Sequence, residues 1–538
     1  MKWRYLLFAI AVLAGVLLRL PRLDLRPMHV DEAVHALKFG DLLERHAYRY
    51  DPVEYHGPTL NYFSLIPARL ASESTLSQVH EATLRIVPVF FGVLLLLLPL
   101  FIDDTVSPFV TVVALLTAVS PAMVFYSRYY IQEMLLVCFT FGLIVSAVRY
   151  LRGRKIGWAI LAGISLGLMH ATKETSIIAV GAMGAAAAGV LILKPATERA
   201  PMHIPPIHLL VALTSAVATS VLFFSSFFAN WQGVPDSLAT YATYFGRAGD
   251  VTLHQQPWHY YLSMLFYSHV PGKPVWTEAV ILDLAIVGLF FTFTRWDSGK
   301  GLERDLGRFF ALYAILMIVI YSAIPYKTPW SMLGLLHACI LLGAVGFARL
   351  WSLASSHLVR ALLVMPLVFG GSHLAWQASL ANFRYYDDPV NPYVYAQAVD
   401  DVVTVGDVVR TVARSTPEGE AMPVQVICPE DDYWPLPWYL RSLTKVGYWN
   451  IVSAELTPTS VILASPEVEE ALLKTLYESP PPGERGLYVP LFATRMDLRP
   501  GKEIRGYVRH DVWERYQRDR QGTTPMDSAK IRPSPPGK

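Results

Sequence analysis

The chain has 538 residues, of which 53% are hydrophobic and only 16% charged, where a soluble domain carries about 25% charged residues. A soluble enzyme is therefore excluded, and blocks of roughly 13 to 22 apolar residues fit membrane-crossing helices rather than the ten-residue alternation of a β-barrel. With 45 Lys+Arg against 43 Asp+Glu the net charge is +2, which supplies no global basic field for a nucleic acid.

In chain order, the apolar run 5–20 continues through a signal-peptide-like Ala14, so it reads as a retained first helix. Further apolar blocks follow at 86–102, 108–126, 131–148, 157–169, 177–193, 207–228, 275–294, 309–324, 331–347 and 361–376. The expected architecture is a polytopic α-helical membrane protein with about 11 transmembrane helices, residues 258–270 forming an interfacial helix. Segments 424–428 and 461–464 read as buried strands, each followed by a helix-compatible run (434–443 and 466–477). They predict a small extramembrane α/β domain over 381–520, after a membrane domain over 1–380 and before a polar, Pro-rich, disordered tail over 521–538. Cys138, Cys339 and Cys428 are scattered, which suits neither a disulfide framework nor a zinc site.

Loop charges orient these spans. Arg149, Arg152, Arg154, Lys155, Lys194, Arg199, Arg295, Lys300, Arg304, Arg308, Arg349 and Arg360 fall on one side, and the short gaps opposite hold one cation each, Arg128, Lys173 and Lys327. The positive-inside rule then predicts a multi-pass cell-membrane protein with a cytoplasmic N-terminus and an external C-terminal domain. The long segments 21–85 and 229–274 are external as well.

The loop 21–85 is the richest in chemistry, with His29-Val-Asp31-Glu32-Ala-Val-His35 and Tyr50-Asp51-Pro-Val-Glu54-Tyr55-His56-Gly57-Pro58. Adjacent carboxylates let one act as a base while the other orients a partner; a solvated helix cap is the plain alternative. Arg128, Lys173 and Lys327 at outer helix ends need compensation, because ionisable groups at membrane depth are expensive. Ion pairs of Arg128 with Glu133 and Lys173 with Glu174 would provide it; a phosphate at the outer surface would account for all three cations together.

These segments resemble the GT-C superfamily of polytopic glycosyltransferases that use polyprenyl-phosphate sugars, in particular its protein O-mannosyltransferase and lipid A aminoarabinose transferase branch. The resemblance covers roughly residues 1–380 and rests on Asp31-Glu32, on His56-Gly57-Pro58-Thr59-Leu60 beside that branch's His-Pro-Pro-Leu, on Ser127-Arg128 to Glu133, and on Gly167 to Lys173. Asp31-Glu32-Ala-Val-His35, Tyr55-His56-Gly57-Pro58 and Tyr326-Lys327-Thr328-Pro329-Trp330 are also similar to a prokaryotic subgroup of predicted glycosyltransferases associated with flippase activity. Gly57 departs from the branch's first Pro. The resemblance implies inverting sugar transfer to an acceptor hydroxyl at the outer face, with Asp31 as base and Glu32 as the competing candidate. It places Arg128 on the donor phosphate; Lys173, Lys327 and His56 are expected to join it there, with Glu133, Glu174, His35 and Tyr55 in support. No cofactor is expected; His29, Asp31, Glu32 and His35 are the alternative, metal-holding reading of the same loop.

The donor partner would be a polyprenyl-phosphate-linked sugar, the acceptor an unspecified glycan, lipid or protein, and no nucleic acid is involved. The acceptor groove is expected from 229–274 and the C-terminal domain, whose aromatic residues (Trp231, Tyr241, Trp258; Trp434, Trp438, Tyr439) suit sugar stacking and an interfacial belt equally. The rival reading is a lipid-linked-sugar flippase or transporter without catalysis, with Asp283 inside a span as its central residue. Reporter fusions after Lys155 and after Gln521 are expected to report opposite sides of the membrane; the same side for both would overturn the topology.

Overall fold

The computed structural model of the chain describes residues 2–46, 48–53, 56–103, 105–194, 204–248, 254–294, 300–453, 459–479, 481 and 485–522. It divides into two compact units, Met1–Arg26 with Lys38–Tyr395, and Pro27–Leu37 with Ala396–Lys538.

Each expected apolar block contains a helix. The order is α1 (Lys2–Arg19), α2 (Val30–Arg45), α3 (Thr59–Leu70), α4 (Glu81–Leu97), α5 (Pro108–Val119), α6 (Pro121–Ser127), α7 (Glu133–Gly153) and α8 (Ile156–His170). Then come α9 (Ser176–Leu193), α10 (Pro206–Phe224), α11 (Gly233–Ala248), α12 (Tyr260–Phe266), α13 (Ala279–Phe293), α14 (Leu302–Ala323), α15 (Leu333–Leu353) and α16 (His357–Phe383). A two-stranded ribbon, β1 (Ser268–His269) and β2 (Val275–Trp276), lies between α12 and α13. Among the described residues seven helices are long and apolar enough to cross a membrane, or eight if the bent pair α5–α6 counts as one span. The other expected spans are shorter or more charged: α8 and α13 have 15 residues each, and α1 carries Lys2, Arg4 and Arg19.

The block 108–126, expected as one helix, is two. Pro121 lacks an N–H and pushes the preceding Ser120 out of the helical region (ψ 121°), so α5 and α6 meet at a 63° bend. Ser120 Oγ accepts the Met123 N–H at 3.3 Å and restarts the helix. α15 is buried along most of its length, whereas α10 and α16 expose long apolar faces, including Leu209, Leu213 and Val217 on one and Leu358, Leu362 and Phe369 on the other. With no polar face to offer water, those two helices suit a lipid surround.

The second unit contains α17 (Asp401–Arg414), β3 (Val424–Ile427), α18 (Leu436–Tyr439), β4 (Val446–Trp449), β5 (Val461–Ala464), α19 (Glu469–Tyr477), β6 (Tyr488–Pro490), β7 (Met496–Arg499), β8 (Lys502–Arg509) and α20 (His510–Gly522). The expected strands at 424–428 and 461–464 are thus β3 and β5, while the expected helix 434–443 shrinks to the single turn α18. The tail from 523 lies outside the described residues. The sheet runs β4-β3-β5-β8-β6, with β7 also paired to β8. β3 is parallel to both β4 and β5, and β8 is antiparallel to β5. β5, central in the sheet, is buried at every position and reads Val-Ile-Leu-Ala; β8 alternates. α17 buries Val402, Val405, Val409 and Val412 at helical spacing. α19 buries Leu472 and Leu476 in a core with Ile427, Ile462, Ala464 and Tyr488.

Candidate functional site

The Asp-Glu pair starts α2 and belongs to the second unit. The His29 N–H donates to Glu32 Oε2 at 3.1 Å, the reach-back half of a capping box. The Asp31 N–H donates to His29 Nδ1 at 3.0 Å, which makes Nδ1 the unprotonated ring nitrogen. Upstream, Met28 N–H donates to the Tyr439 hydroxyl and Gln397 Nε2 to the Pro27 carbonyl, both at 2.8 Å, so the C-terminal half of the chain fixes this turn. Glu32, His29 and His35 are buried. Asp31 differs: its side chain is 42% exposed, with His29 Nδ1 at 3.9 Å. Of two neighbours that the sequence left unranked, Glu32 is built into the helix start and Asp31 is open to a ligand. Among the described residues no group of three or more His, Cys, Asp or Glu is placed to hold a metal ion, the set His29, Asp31, Glu32 and His35 included.

In the first unit, the end of α1 and the turn after it are laced by arginines. Arg128, which follows α6, donates through Nη1 to the carbonyls of Arg19 (2.6 Å) and Pro21 (2.7 Å) and through Nη2 to that of Arg22 (3.0 Å). Its guanidinium also packs on Phe383 at 4.9 Å. Arg19 donates to Ser127 Oγ and to the carbonyls of Gly15, Ala118 and Thr117, and Arg85 to those of Leu23 and Arg26. Arg26 returns a bond to the Arg128 carbonyl at 2.7 Å and lies over the Phe125 and Tyr129 rings. Gly92 makes room for this lattice, since a Cβ there would meet Ser127 Oγ at 2.5 Å. Burial first, then the positive Arg26, Arg85, Arg19 and Arg22, bring Arg128 down to about 9, so it remains a cation at neutral pH.

The two ion pairs weighed from the sequence are replaced by one. Lys173 pairs with Glu133, 40 residues away, rather than with its neighbour Glu174, and both partners are buried. Glu174 is taken by His56, whose Nδ1 lies 2.9 Å from its Oε2, and by the Tyr50 hydroxyl, which donates to its Oε1 at 3.1 Å. Burial alone would raise the Glu174 carboxyl, but the charge and hydrogen bond of His56 outweigh it and hold the group below its ordinary value. This pairing therefore stabilises the fold above the ordinary carboxylate range and is lost as pH falls through the lowered value. Gly57 explains itself here: a Cβ would meet the Ala171 carbonyl at 2.2 Å, so only glycine lets the segment press onto the α8–α9 turn and bring His56 to Glu174.

Lys327 is buried and directs its ammonium to the carbonyls of Ile324 and of Gln256 (3.3 Å). Burial lowers its pKa. Between α7, α9, α14 and α15, Glu133 and Lys173 line a cavity of about 30 Å³ with Thr140, Tyr321 and Trp330. That is about one water. The structure thus joins Lys173 to Glu133 and His56 to Glu174, while Arg128 and Lys327 turn to carbonyls in their own surroundings. Tyr55 lies outside the described residues.

Sequence reading did not assign Arg19, Arg26, Arg85 or Glu278. Glu278, wholly buried before α13, accepts from Ser120 Oγ, the Ala122 N–H and the Tyr393 hydroxyl, all through Oε1. It caps α6 across the bend. Buried charges beside apolar helices were the available signal, and Asp283, which was singled out instead, is exposed.

The chain is similar to known proteins in sequence over one segment and in fold over most of its length. Residues 56–224 match the family model described as dolichyl-phosphate-mannose-protein mannosyltransferase. No curated protein matches the chain. Among solved structures, ArnT from Cupriavidus metallidurans in the apo state is 14% identical with a TM-score of 0.60, over 94% of this chain and 98% of that one. The same protein bound to undecaprenyl phosphate is also 14% identical, with a TM-score of 0.58 over the same shares. These likenesses show that the chain has the fold of ArnT.

Lys173→Met is expected to cost about 3–5 kcal/mol of stability by leaving Glu133 charged and unpaired, and Lys173→Met with Glu133→Leu to recover most of it. Thermal unfolding in detergent micelles measures both; equal losses in the single and double variants would contradict the pairing. Gly57→Ala is expected to cost about 1–3 kcal/mol through the clash with Ala171, with unchanged stability as the contrary result in the same measurement.

Proposed function

We propose that the protein transfers a sugar from a polyprenyl-phosphate donor to an acceptor hydroxyl at the outer membrane face, with inversion and with Asp31 as base. The observation that carries this reading is the division of labour at α2, where Asp31 is open and Glu32 is buried as the helix-start acceptor. The acceptor oxygen attacks the anomeric carbon and Asp31 takes its proton. The bond from that carbon to the phosphate oxygen breaks, and the electron pair leaves with the lipid phosphate. Because a phosphate leaves as a stable anion, cations suffice and no general acid is needed. His56 and the arginines around Arg128 are the groups proposed to supply that charge, and the reading uses no metal or other cofactor. ArnT, which shares the fold, is described as bound to undecaprenyl phosphate, and this supports a lipid phosphate as donor carrier.

The outer face is supported by the sequence charge bias and by the second unit. Pro27–Leu37 and Ala396–Lys538 form one body, so the loop after α1 and the C-terminal domain share a side of the membrane. The transporter reading loses its best residue, since a substrate-carrying acid faces the bundle interior and Asp283 is exposed.

Asp31→Asn is expected to lower turnover about 10²- to 10⁴-fold with donor binding retained. Glu32→Gln is expected to lower thermal stability before it lowers turnover, and Arg128→Ala to weaken donor binding and turnover together. Activity should survive chelation by EDTA. Near-normal turnover in Asp31→Asn with loss in Glu32→Gln would move the base by one residue, and inactivity after chelation would bring in a metal.

A further inference from the structure

In an open α/β sheet, ligands bind outside the carboxyl ends of the strands, at the point where successive connections leave in opposite directions. The second unit has such a point. From β3 the chain first adds β4 on one side and later β5 on the other, both parallel to β3. The crevice rule therefore picks the gap between the ends of β3 and β5, which lead into Cys428 and Ser465. A cavity of about 160 Å³ lies there, lined among others by Cys428, Asp432, Ser465, Glu467, Lys502 and Glu503. Strand order and cavity are independent observations that point to one place. Ser465 adds a third: it is only 9% exposed and, among the described residues, its hydroxyl has no hydrogen-bond partner. Buried polar groups without partners are uncommon in folded chains.

The lining selects the ligand. An anion is disfavoured, because the turn after β3 reads Cys428-Pro-Glu-Asp-Asp432 and the approach to α19 holds Glu467, Glu469 and Glu470 at the end where a phosphate would sit. A cation is disfavoured too: Asp432 is already paired with Arg499 (2.7 Å) and Lys502, and Glu503 with Arg505 (2.8 Å). Burial pushes the Cys428 thiol up to about 12, so it stays neutral and is no nucleophile at physiological pH. What remains is a wall rich in both acceptors and donors with no net call for charge, and with Leu498 and Pro466 as apolar patches. Hydroxyl groups on a compact ring match it. The cavity has room for several waters, which is enough to seat a single ring.

We propose that the crevice between β3 and β5 binds one neutral sugar residue. The site is contained in the second unit and is read by binding alone, so it stands or falls independently of the transfer reaction. Saturation-transfer NMR on the full chain in detergent micelles tests it with a panel of neutral hexoses and N-acetylhexosamines, and with inorganic phosphate and spermidine as counter-probes. At least one neutral sugar is expected to bind in the millimolar range or tighter. Ser465→Val and the exposed Glu467→Lys should each weaken it about tenfold, the worth of one good hydrogen bond, with unchanged thermal unfolding. Should Ser465→Val fail to fold, Glu467→Lys decides alone. Absence of any neutral-sugar signal, a signal indifferent to the variants that fold, or binding of phosphate or spermidine only would overturn the proposal.

Discussion

The membrane unit depends on arginines that satisfy backbone carbonyls. The last carbonyls of α1 have no intrahelical donors, a general feature of helix ends that is costly away from water. Arg128 supplies donors to the carbonyl of Arg19 at the end of α1 and to those of Pro21 and Arg22 in the turn after it, Arg19 adds a side-chain donor to that of Gly15 within the helix, and Arg85 extends the lattice to Leu23 and Arg26. Because Arg128 follows α6, these bonds also set where the bend between α5 and α6 lies relative to the chain leaving α1. Glu278 completes the arrangement by capping α6 from its other end. A carbonyl carries only a partial charge, so these cations are satisfied without being neutralised. Their positive field persists, and a lipid phosphate is the kind of anion that such a field attracts.

The chain from Arg26 to Asp31 is short, and it passes from one unit to the other. Pro27 and Met28 are tied to Gln397 and Tyr439, residues some 370 and 411 positions later. The C-terminal part of the second unit is therefore part of what shapes the turn carrying Asp31.

Much of this was legible in the sequence, and the parts that were not share a cause. Periodicity and block length gave α4, α7, α9 and α14 to α16 because an apolar stretch of that length has few other uses. β3 and β5 were legible for a similar reason, as short β-branched runs bounded by Pro and polar residues. The bend at Ser120 was readable in principle from Pro121, but the continuous hydrophobicity of 108–126 masked it. Partner choice was not legible: Lys173 bypasses Glu174 for Glu133, and Arg128 bypasses Glu133 for carbonyls, because backbone acceptors carry no sequence signature. The same holds for Asp31 and Glu32, whose difference arises from a turn fixed by Tyr439 and Gln397. Gly57 departs from the branch's motif, and the contact with Ala171 requires its small size.

The stereochemistry of transfer tests the account most directly. The proposed reaction, with Asp31 as base and a lipid phosphate as leaving group, is a single displacement. NMR of the product formed by the purified protein from a synthetic polyprenyl-phosphate sugar of defined anomeric configuration should show the opposite configuration at the transferred carbon. Retention of configuration would require a covalent or return-side step that Asp31 as a lone base cannot provide, and would contradict the account.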